Sequence, residues 1–249
     1  MKIGITGSHG TVGKSLVPFL QKEGYSVIGL PREGIDLSGV DVVINLAGSP
    51  IFEWNKKEIL NSRVETTKNL VEAMKSAPPK LFISASALAE GGFLGTVCKQ
   101  WEEEAQKAPC RVVLLRLGVV LTPTGGALKK MLLPFRWGLG AILGTGEQWM
   151  SWVSMDDLLS IILFCIKNEN ISGPVEAVSP TPITNKEFTL WLAKKLHRPC
   201  LFRAPEWLLR PILGDFADEV LLASSKFYPT KLQASGFTFK DVDVENLNF

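Results

Sequence analysis

The sequence has few cysteines, and they are widely spaced. Its 249 residues contain four, namely Cys98, Cys110, Cys165 and Cys200. Zinc sites need cysteines or histidines in close pairs, and small disulfide scaffolds need a much higher density of cysteine. We therefore expect four reduced thiols and no metal site.

Net charge and long apolar runs are also lacking. The 27 basic and 25 acidic residues leave a formal charge of +2, so the composition indicates no nucleic-acid partner and no anionic membrane partner. The stretch Leu158–Ile166 is far shorter than the roughly 20 residues that span a bilayer. At the amino terminus Gly7 interrupts the apolar start before a signal peptide could form. These features predict a cytoplasmic protein.

Short apolar strands alternate with helical patterns along most of the chain. The predicted strands are Lys2–Thr6, Tyr25–Leu30, Val40–Leu46, Leu81–Ser84, Arg111–Leu117 and Gly173–Val178, and the predicted helices are Ser15–Glu23, Asn55–Lys75, Val97–Lys107 and Asp156–Lys167. This alternation predicts an α/β fold with a doubly wound parallel sheet. We predict a core over residues 1–178, with a loop-rich insertion at about 122–150, and a smaller substrate-binding lobe over 179–249.

A glycine triplet links the first strand to the first helix. Gly7, Gly10 and Gly13 have the spacing at which a tight turn lets backbone approach a pyrophosphate at a helix N-terminus. We expect the triplet and its neighbours Ser8, Thr11 and Val12 to bind a dinucleotide. Leu46, Ala47 and Gly48 end a later strand, where the ribose and diphosphate would lie.

The residues after the second strand indicate which dinucleotide is bound. An arginine there suits the 2′-phosphate of NADP(H), and this chain has Arg32. Glu33 follows directly and keeps NAD possible. Asp36 would either contact the adenine amino group or serve as a turn residue.

Several ordered motifs together resemble one known family. They are the glycine triplet, Asn45–Gly48, Asn61–Thr67, Ser84–Ala87, Leu115–Leu121, Gly125–Leu128, Gln148–Trp152, Asp156–Leu158, Ser172–Val175, Thr184–Phe188 and Leu196–Pro199. The chain resembles the epimerase-family atypical short-chain dehydrogenases, also called SDR39U-like proteins, over nearly its whole length. The resemblance implies a Rossmann core, a C-terminal substrate lobe and bound NADP(H). It also implies that Ser84, Leu117 and Gly118 lie beside the cofactor.

The tyrosine and lysine that short-chain dehydrogenases use for proton transfer are missing. The Tyr-x-x-x-Lys pattern falls on Leu94–Cys98, and Lys99 is one position out of register. The only tyrosines, Tyr25 and Tyr228, lie elsewhere. Ser86 matches the serine that orients the substrate oxygen and is the one catalytic candidate, although a serine in such a turn is also a common local hydrogen-bonding residue.

Three further positions allow two interpretations each. Gln148 and Trp152 could line a substrate cleft or pack within their own loop. Arg63 could bind an anionic group of the cofactor or form an ion pair. For the whole chain we expect an NADP(H)-binding oxidoreductase or epimerase with an unknown small-molecule substrate, for which a nucleotide- or sugar-linked compound is the candidate. The alternative is a catalytically silent NADP(H) sensor or scaffold. The oligomeric state does not follow from the sequence.

Overall fold

The computed structural model describes residues 1–247. The strands are β1 (Lys2–Thr6), β2 (Ser26–Gly29), β3 (Val42–Asn45), β4 (Leu81–Ala87), β5 (Arg111–Leu117), β6 (Val119–Leu121), β7 (Ala141–Leu143), β8 (Trp149–Met150), β9 (Trp152–Ser154), β10 (Gly173–Ala177), β11 (Ile183–Thr184) and β12 (Phe202–Ala204). The helices are α1 (Thr11–Lys22), α2 (Lys56–Ser76), α3 (Gly92–Ala105), α4 (Gly126–Arg136), α5 (Met155–Lys167), α6 (Asn185–Lys195), α7 (Glu206–Leu213) and α8 (Thr230–Ala234).

Six strands form one sheet in the order β10-β5-β4-β3-β1-β2, and every neighbouring pair is parallel. The chain passes from β1 to β2 on one side and then to β3 on the other. In open α/β sheets, ligands bind at the carboxyl ends of the strands where the order reverses in this way. The predicted doubly wound α/β fold is confirmed, and its expected ligand crevice lies between the ends of β1 and β3.

Alternating side chains bury both faces of this sheet. On β4, Leu81 and Ile83 pack in one cluster with α1 and α5, whereas Phe82 packs in a second cluster with α2. Because successive strand residues point to opposite faces, a nearly continuous apolar strand of this kind needs helices on both sides.

Two element boundaries differ from the sequence prediction. Helix α3 begins at Gly92, five residues before the predicted start, because Gly91 and Gly92 have φ of 75° and 61° and turn the chain into the helix early. Strand β4 continues to Ala87, so Ser86 lies within the strand and not just past it. The extension is held by β5, since Ser86 pairs with Arg116.

The insertion at 122–150 is more regular than the expected loop. It contains α4, whose Leu128, Leu132 and Phe135 are buried in a third cluster with Phe188 of α6. Its short strands pair with the C-terminal part of the chain, β7 with β12 and β8 with β11. The insertion and the C-terminal residues therefore pack as one unit beside the large sheet. The predicted boundary after residue 178 stays a prediction, and residues 248 and 249 of the predicted lobe lie outside the described residues.

Within residues 1–247, no helix has the length and apolar character required to cross a bilayer.

Candidate functional site

The glycine triplet forms a turn in which backbone packs directly on backbone. Gly7 has a φ of 69°, and a Cβ at this position would lie 2.7 Å from the carbonyl oxygen of Leu46. A Cβ at Gly13 would lie 2.3 Å from the carbonyl oxygen of Gly7, and the N–H of Gly10 donates to that same oxygen at 2.9 Å. No side chain fits at Gly7 or Gly13, which is the reason for glycine at these positions.

The N-terminus of α1 is open for an anion. The helix starts at Thr11 without a side-chain cap, and its first turn has no acidic residue. Ser8, Thr11 and Val12 are partly exposed around it. Uncapped N–H groups and the helix dipole both favour a phosphate at such a terminus. The triplet and this terminus thus fit the diphosphate of a dinucleotide.

Asn45 holds the opposite side of the crevice together. Its side-chain oxygen accepts from the hydroxyl of Thr6 at 2.6 Å and from the N–H of Ala47 at 3.3 Å, and its amide donates to Thr67 on α2 at 2.8 Å. A fully buried amide therefore fixes the segment Leu46–Gly48 against β1 and α2. Asn45 is not among the predicted site residues, although a polar residue that ends an apolar strand is a usable signal.

Arg63 holds the same segment from outside. Its guanidinium donates to the carbonyl oxygens of Ser49 and Ile59, each at 3.1 Å, and lies 5.6 Å from the ring centre of Trp101. A Cβ at Gly48 would lie 3.1 Å from the guanidinium carbon. Burial lowers the pKa of Arg63. The structure shows Arg63 in hydrogen bonds with backbone rather than in the ion pair we considered.

Arg32 and Asp36 have different surroundings. Arg32 is exposed and borders a cavity of about 230 Å³ with Ile35 and Asn69. The carboxylate of Asp36 accepts from the N–H of Ser38 at 2.9 Å, and hydrogen bonding from Ser38 lowers its pKa. The structure shows Asp36 in a turn, and its contact with the adenine amino group stays a prediction.

Ser86 belongs to a buried polar network. Its hydroxyl donates to Glu102 at 2.7 Å, and Arg116 donates two bonds of 2.8 and 2.7 Å to the same carboxylate. Hydrogen bonding to Glu102 raises the pKa of Arg116. Glu176 lies 3.6 Å from the other side of the Arg116 guanidinium. The hydroxyl proton of Ser86 is therefore directed at a carboxylate, and the thiol of Cys98 lies within hydrogen-bonding reach of the same hydroxyl.

The two positions of the missing dyad lie on α3. The backbone N–H of Leu94 donates to Glu219 at 2.7 Å. Cys98 is 8% exposed, and burial raises the pKa of its thiol. Cys98 borders a cavity of about 370 Å³ together with Arg116 and Phe227. A thiol that keeps its proton is neutral, so Cys98 does not supply the positive charge of the lysine.

Ser84, Leu117 and Gly118 lie toward the same end of the sheet. Ser84 is fully buried and pairs in register with Asn45 at the end of β3. Leu117 ends β5, and a Cβ at Gly118 would lie 2.8 Å from the carbonyl oxygen of Ser151. The strand order thus brings these residues to the carboxyl edge that carries the glycine triplet.

Gln148 and Trp152 serve packing within the C-terminal part of the chain. Trp152 is fully buried, and its indole N–H donates to Thr181 at 2.8 Å. The amide of Gln148 donates to Leu143 at 3.1 Å and Leu221 at 3.2 Å. The ring of Trp152 is part of the core. The interpretation of Gln148 and Trp152 as residues that line a substrate cleft stays a prediction.

No group of histidine, cysteine, aspartate and glutamate side chains within residues 1–247 is arranged to hold a metal ion.

Two family models match this chain. Residues 3–113 match the NAD dependent epimerase/dehydratase family, and residues 204–246 match a domain of unknown function, DUF1731. An epimerase family protein of Mycobacterium bovis is 35% identical over 279 aligned positions, which cover 95% of this chain and 93% of the relative. The aligned length exceeds the 249 residues of this chain, so the relative carries residues that this chain lacks.

Solved structures give the same picture. The human epimerase family protein SDR39U1, solved with NADPH, is 28% identical, with a TM-score of 0.89 over 98% of this chain and 97% of that one. A nucleoside-diphosphate sugar epimerase from Corynebacterium glutamicum is 31% identical, with a TM-score of 0.80 over 98% of this chain and 56% of its own. Sequence identity over nearly the whole length and the shared fold place this chain in the epimerase family, among the SDR39U-like atypical short-chain dehydrogenases.

Proposed function

We propose that this protein binds NADP(H) at the carboxyl edge of its sheet. The observation that carries the proposal is the glycine turn, in which no side chain fits at Gly7 and Gly13, leading into the uncapped start of α1. The NADPH bound to the similar human protein SDR39U1 supports this choice of cofactor. NAD is the second candidate, because Glu33 follows Arg32.

The proposed binding residues surround the crevice. The diphosphate would lie against Gly7, Ser8, Gly10, Thr11, Val12 and Gly13, the ribose groups near Leu46, Ala47, Gly48 and Arg63, the nicotinamide end near Ser84, Leu117 and Gly118, and the 2′-phosphate near Arg32. The backbone N–H groups of the glycine turn and of the start of α1 would bind the diphosphate, and the guanidinium of Arg32 would bind the 2′-phosphate.

For the reaction, we propose oxidation or epimerisation of a small molecule, nucleotide- or sugar-linked, in the cytoplasm. Bound NADP(H) would supply hydride transfer, and the lone pairs of Ser86 would orient a substrate hydroxyl. The likeness to a nucleoside-diphosphate sugar epimerase supports the substrate class, and the four free thiols support a reducing compartment. Residues 179–249 would bind the substrate.

A second candidate is a silent NADP(H) sensor or scaffold. It is favoured by Leu94 and Cys98 at the dyad positions and by the Ser86 proton being directed at Glu102. This chain would then report cofactor occupancy without turnover.

The first experiment is a titration of the purified protein with NADPH and NADH, followed by fluorescence and calorimetry. We expect saturable binding with a preference for NADPH, and absence of binding by both would overturn the proposal. A structure with NADPH then separates the two candidates. An enzyme requires an open cavity beside the nicotinamide C4 with a proton donor within hydrogen-bond reach, whereas side chains filling that space would favour the sensor.

A further inference from the structure

Neighbouring elements of the C-terminal unit expose large apolar side chains, and we call these side chains together the apolar face. It comprises Trp137 and Leu139 after α4, Leu201 and Phe202 at β12, and Trp207 and Ile212 on α7, which are between 55% and 80% exposed. Isolated exposed apolar residues are ordinary on soluble proteins, but a grouped set marks a surface that binds something.

Backbone contacts connect the parts of this face. The N–H of Leu139 donates back to Pro134 in α4, and two residues later Ala141 pairs with Phe202 across the β7–β12 ribbon. At the other end of the ribbon, the N–H of Gly144 donates to Ala204, directly before α7. The exit of α4, the ribbon and α7 are thus successive neighbours.

Helix α7 leaves its apolar side chains largely uncovered. It is eight residues long, and none of its residues is buried. Trp207 is 74% exposed and Ile212 is 68% exposed. A short helix gains most of its stability from packing an apolar side, and α7 has not used that side within the described chain.

The charge around the apolar face is mainly positive. Lys129, Arg136, Arg198 and Arg203 are exposed and form no ion pair within residues 1–247. Segments 126–140 and 198–213 contain one acidic residue, Glu206, which pairs with Arg210 at 3.0 Å. Asp218, which follows α7, pairs with the same arginine at 2.9 Å. The face is therefore positive, although the whole chain carries only +2.

We propose that the apolar face docks on the surface of an anionic phospholipid bilayer. Exposed tryptophan and aliphatic side chains beside unpaired arginine and lysine match the requirements of a lipid interface, where apolar groups enter the acyl boundary and cations meet headgroup phosphates. A second copy of this chain fits worse, because a two-fold contact would set the positive face against itself. Attachment of this kind is peripheral. The near-neutral composition of the whole chain led us to expect no membrane partner. The fold, however, places several basic residues together beside the apolar face.

The test is flotation of the full-length protein with vesicles of phosphatidylcholine alone, or with about one part in four of phosphatidylglycerol. One variant combines Trp207→Ser with Ile212→Ser, and a second combines Arg136→Glu with Arg203→Glu. Lys22→Glu on α1 and Val242→Ser are matched exposed controls away from α4, the ribbon and α7. Circular dichroism and the thermal unfolding midpoint verify that each variant is folded.

We expect the wild type and both controls to float with the anionic vesicles only, and less at high salt. Each double variant should lower the partition coefficient by about tenfold or more. Failure of the wild type to bind, or equal binding to both vesicle types, would overturn the proposal. So would a dimer in light scattering that the apolar double variant dissociates, since a second copy would then be the occupant. Retention of binding in the charge variant would show that the arginines are not involved. None of these outcomes depends on NADP(H) binding.

Discussion

The carboxylate of Glu219 accepts hydrogen bonds from the backbone N–H groups of Phe93 at 3.0 Å and Leu94 at 2.7 Å. Helix α3 starts after Gly91 and has no cap from its own sequence. A side chain from the C-terminal part of the chain therefore satisfies the first turn of a core helix. Lys56 strengthens the junction through its ion pair with Asp215.

Glu219→Ala should lower the free energy of unfolding by about 1–2 kcal/mol, because it removes both acceptors and leaves two N–H groups of α3 unpaired. Urea unfolding followed by circular dichroism measures the change. Glu169→Ala, at an exposed position with no ionic partner in the described chain, is the matched control and should change stability by less than about 0.5 kcal/mol. Equal effects of the two substitutions would show that capping is unimportant.

Glu102→Gln should destabilise the protein by about 2 kcal/mol or more, since the partly buried Arg116 would lose its charged partner and one of its bonds. Glu103→Gln, the next residue on α3, removes an exposed pair with Lys99 at 4.0 Å and should cost less than about 0.5 kcal/mol. Chemical denaturation of both variants compares a partly buried and an exposed carboxylate on one helix. Similar midpoints would contradict a structural role for the Ser86–Glu102–Arg116 network.

Arg32→Asp should weaken NADPH binding by about tenfold or more, because a carboxylate would replace the cation beside the 2′-phosphate. NADH lacks that phosphate, so its affinity should change by less than about threefold. Calorimetric titration of each cofactor gives the ratio, with Lys22→Asp as the control for a change of net charge. An equal loss for both cofactors would show that Arg32 does not contact the 2′-phosphate.

Cys165 should make the stability decline at alkaline pH. Burial raises the pKa of its thiol from the ordinary 9.0 to about 12. The folded state therefore keeps the proton over a range in which the unfolded chain loses it. This contribution is complete below about pH 9 and decreases as the pH rises toward 12.

The free energy of unfolding should thus fall between pH 8 and 10 in the wild type, and the fall should be smaller in Cys165→Ala. Urea titrations at both pH values measure the slope. Cys200→Ala is the comparison, because burial also raises the pKa of that thiol but Cys200 is only partly buried, so this substitution should change the slope less than Cys165→Ala does. An identical slope in the wild type and Cys165→Ala would contradict this account.

The sequence by itself determined the sheet, the position of the glycine turn and the family. A strand covered on both faces needs an almost continuous run of apolar residues. A turn in which two backbone segments touch needs glycine, because it has no Cβ. Both requirements are local and are therefore visible in the sequence. The absence of the tyrosine and lysine was equally readable, because the resemblance to the family indicates where they would stand.

Only the tertiary structure decided the roles of side chains whose partners lie far along the chain. The first turn of α3 depends on Glu219, and Trp152 is a core residue because α6 and the chain around Thr181 enclose it. The positive apolar face also arises from folding, because the fold brings together two segments that lie some 60 residues apart in the sequence. In the overall composition, the basic residues of these segments are balanced by acidic residues located elsewhere. Contacts of this range follow from the packing of whole elements, and local sequence patterns carry no record of them.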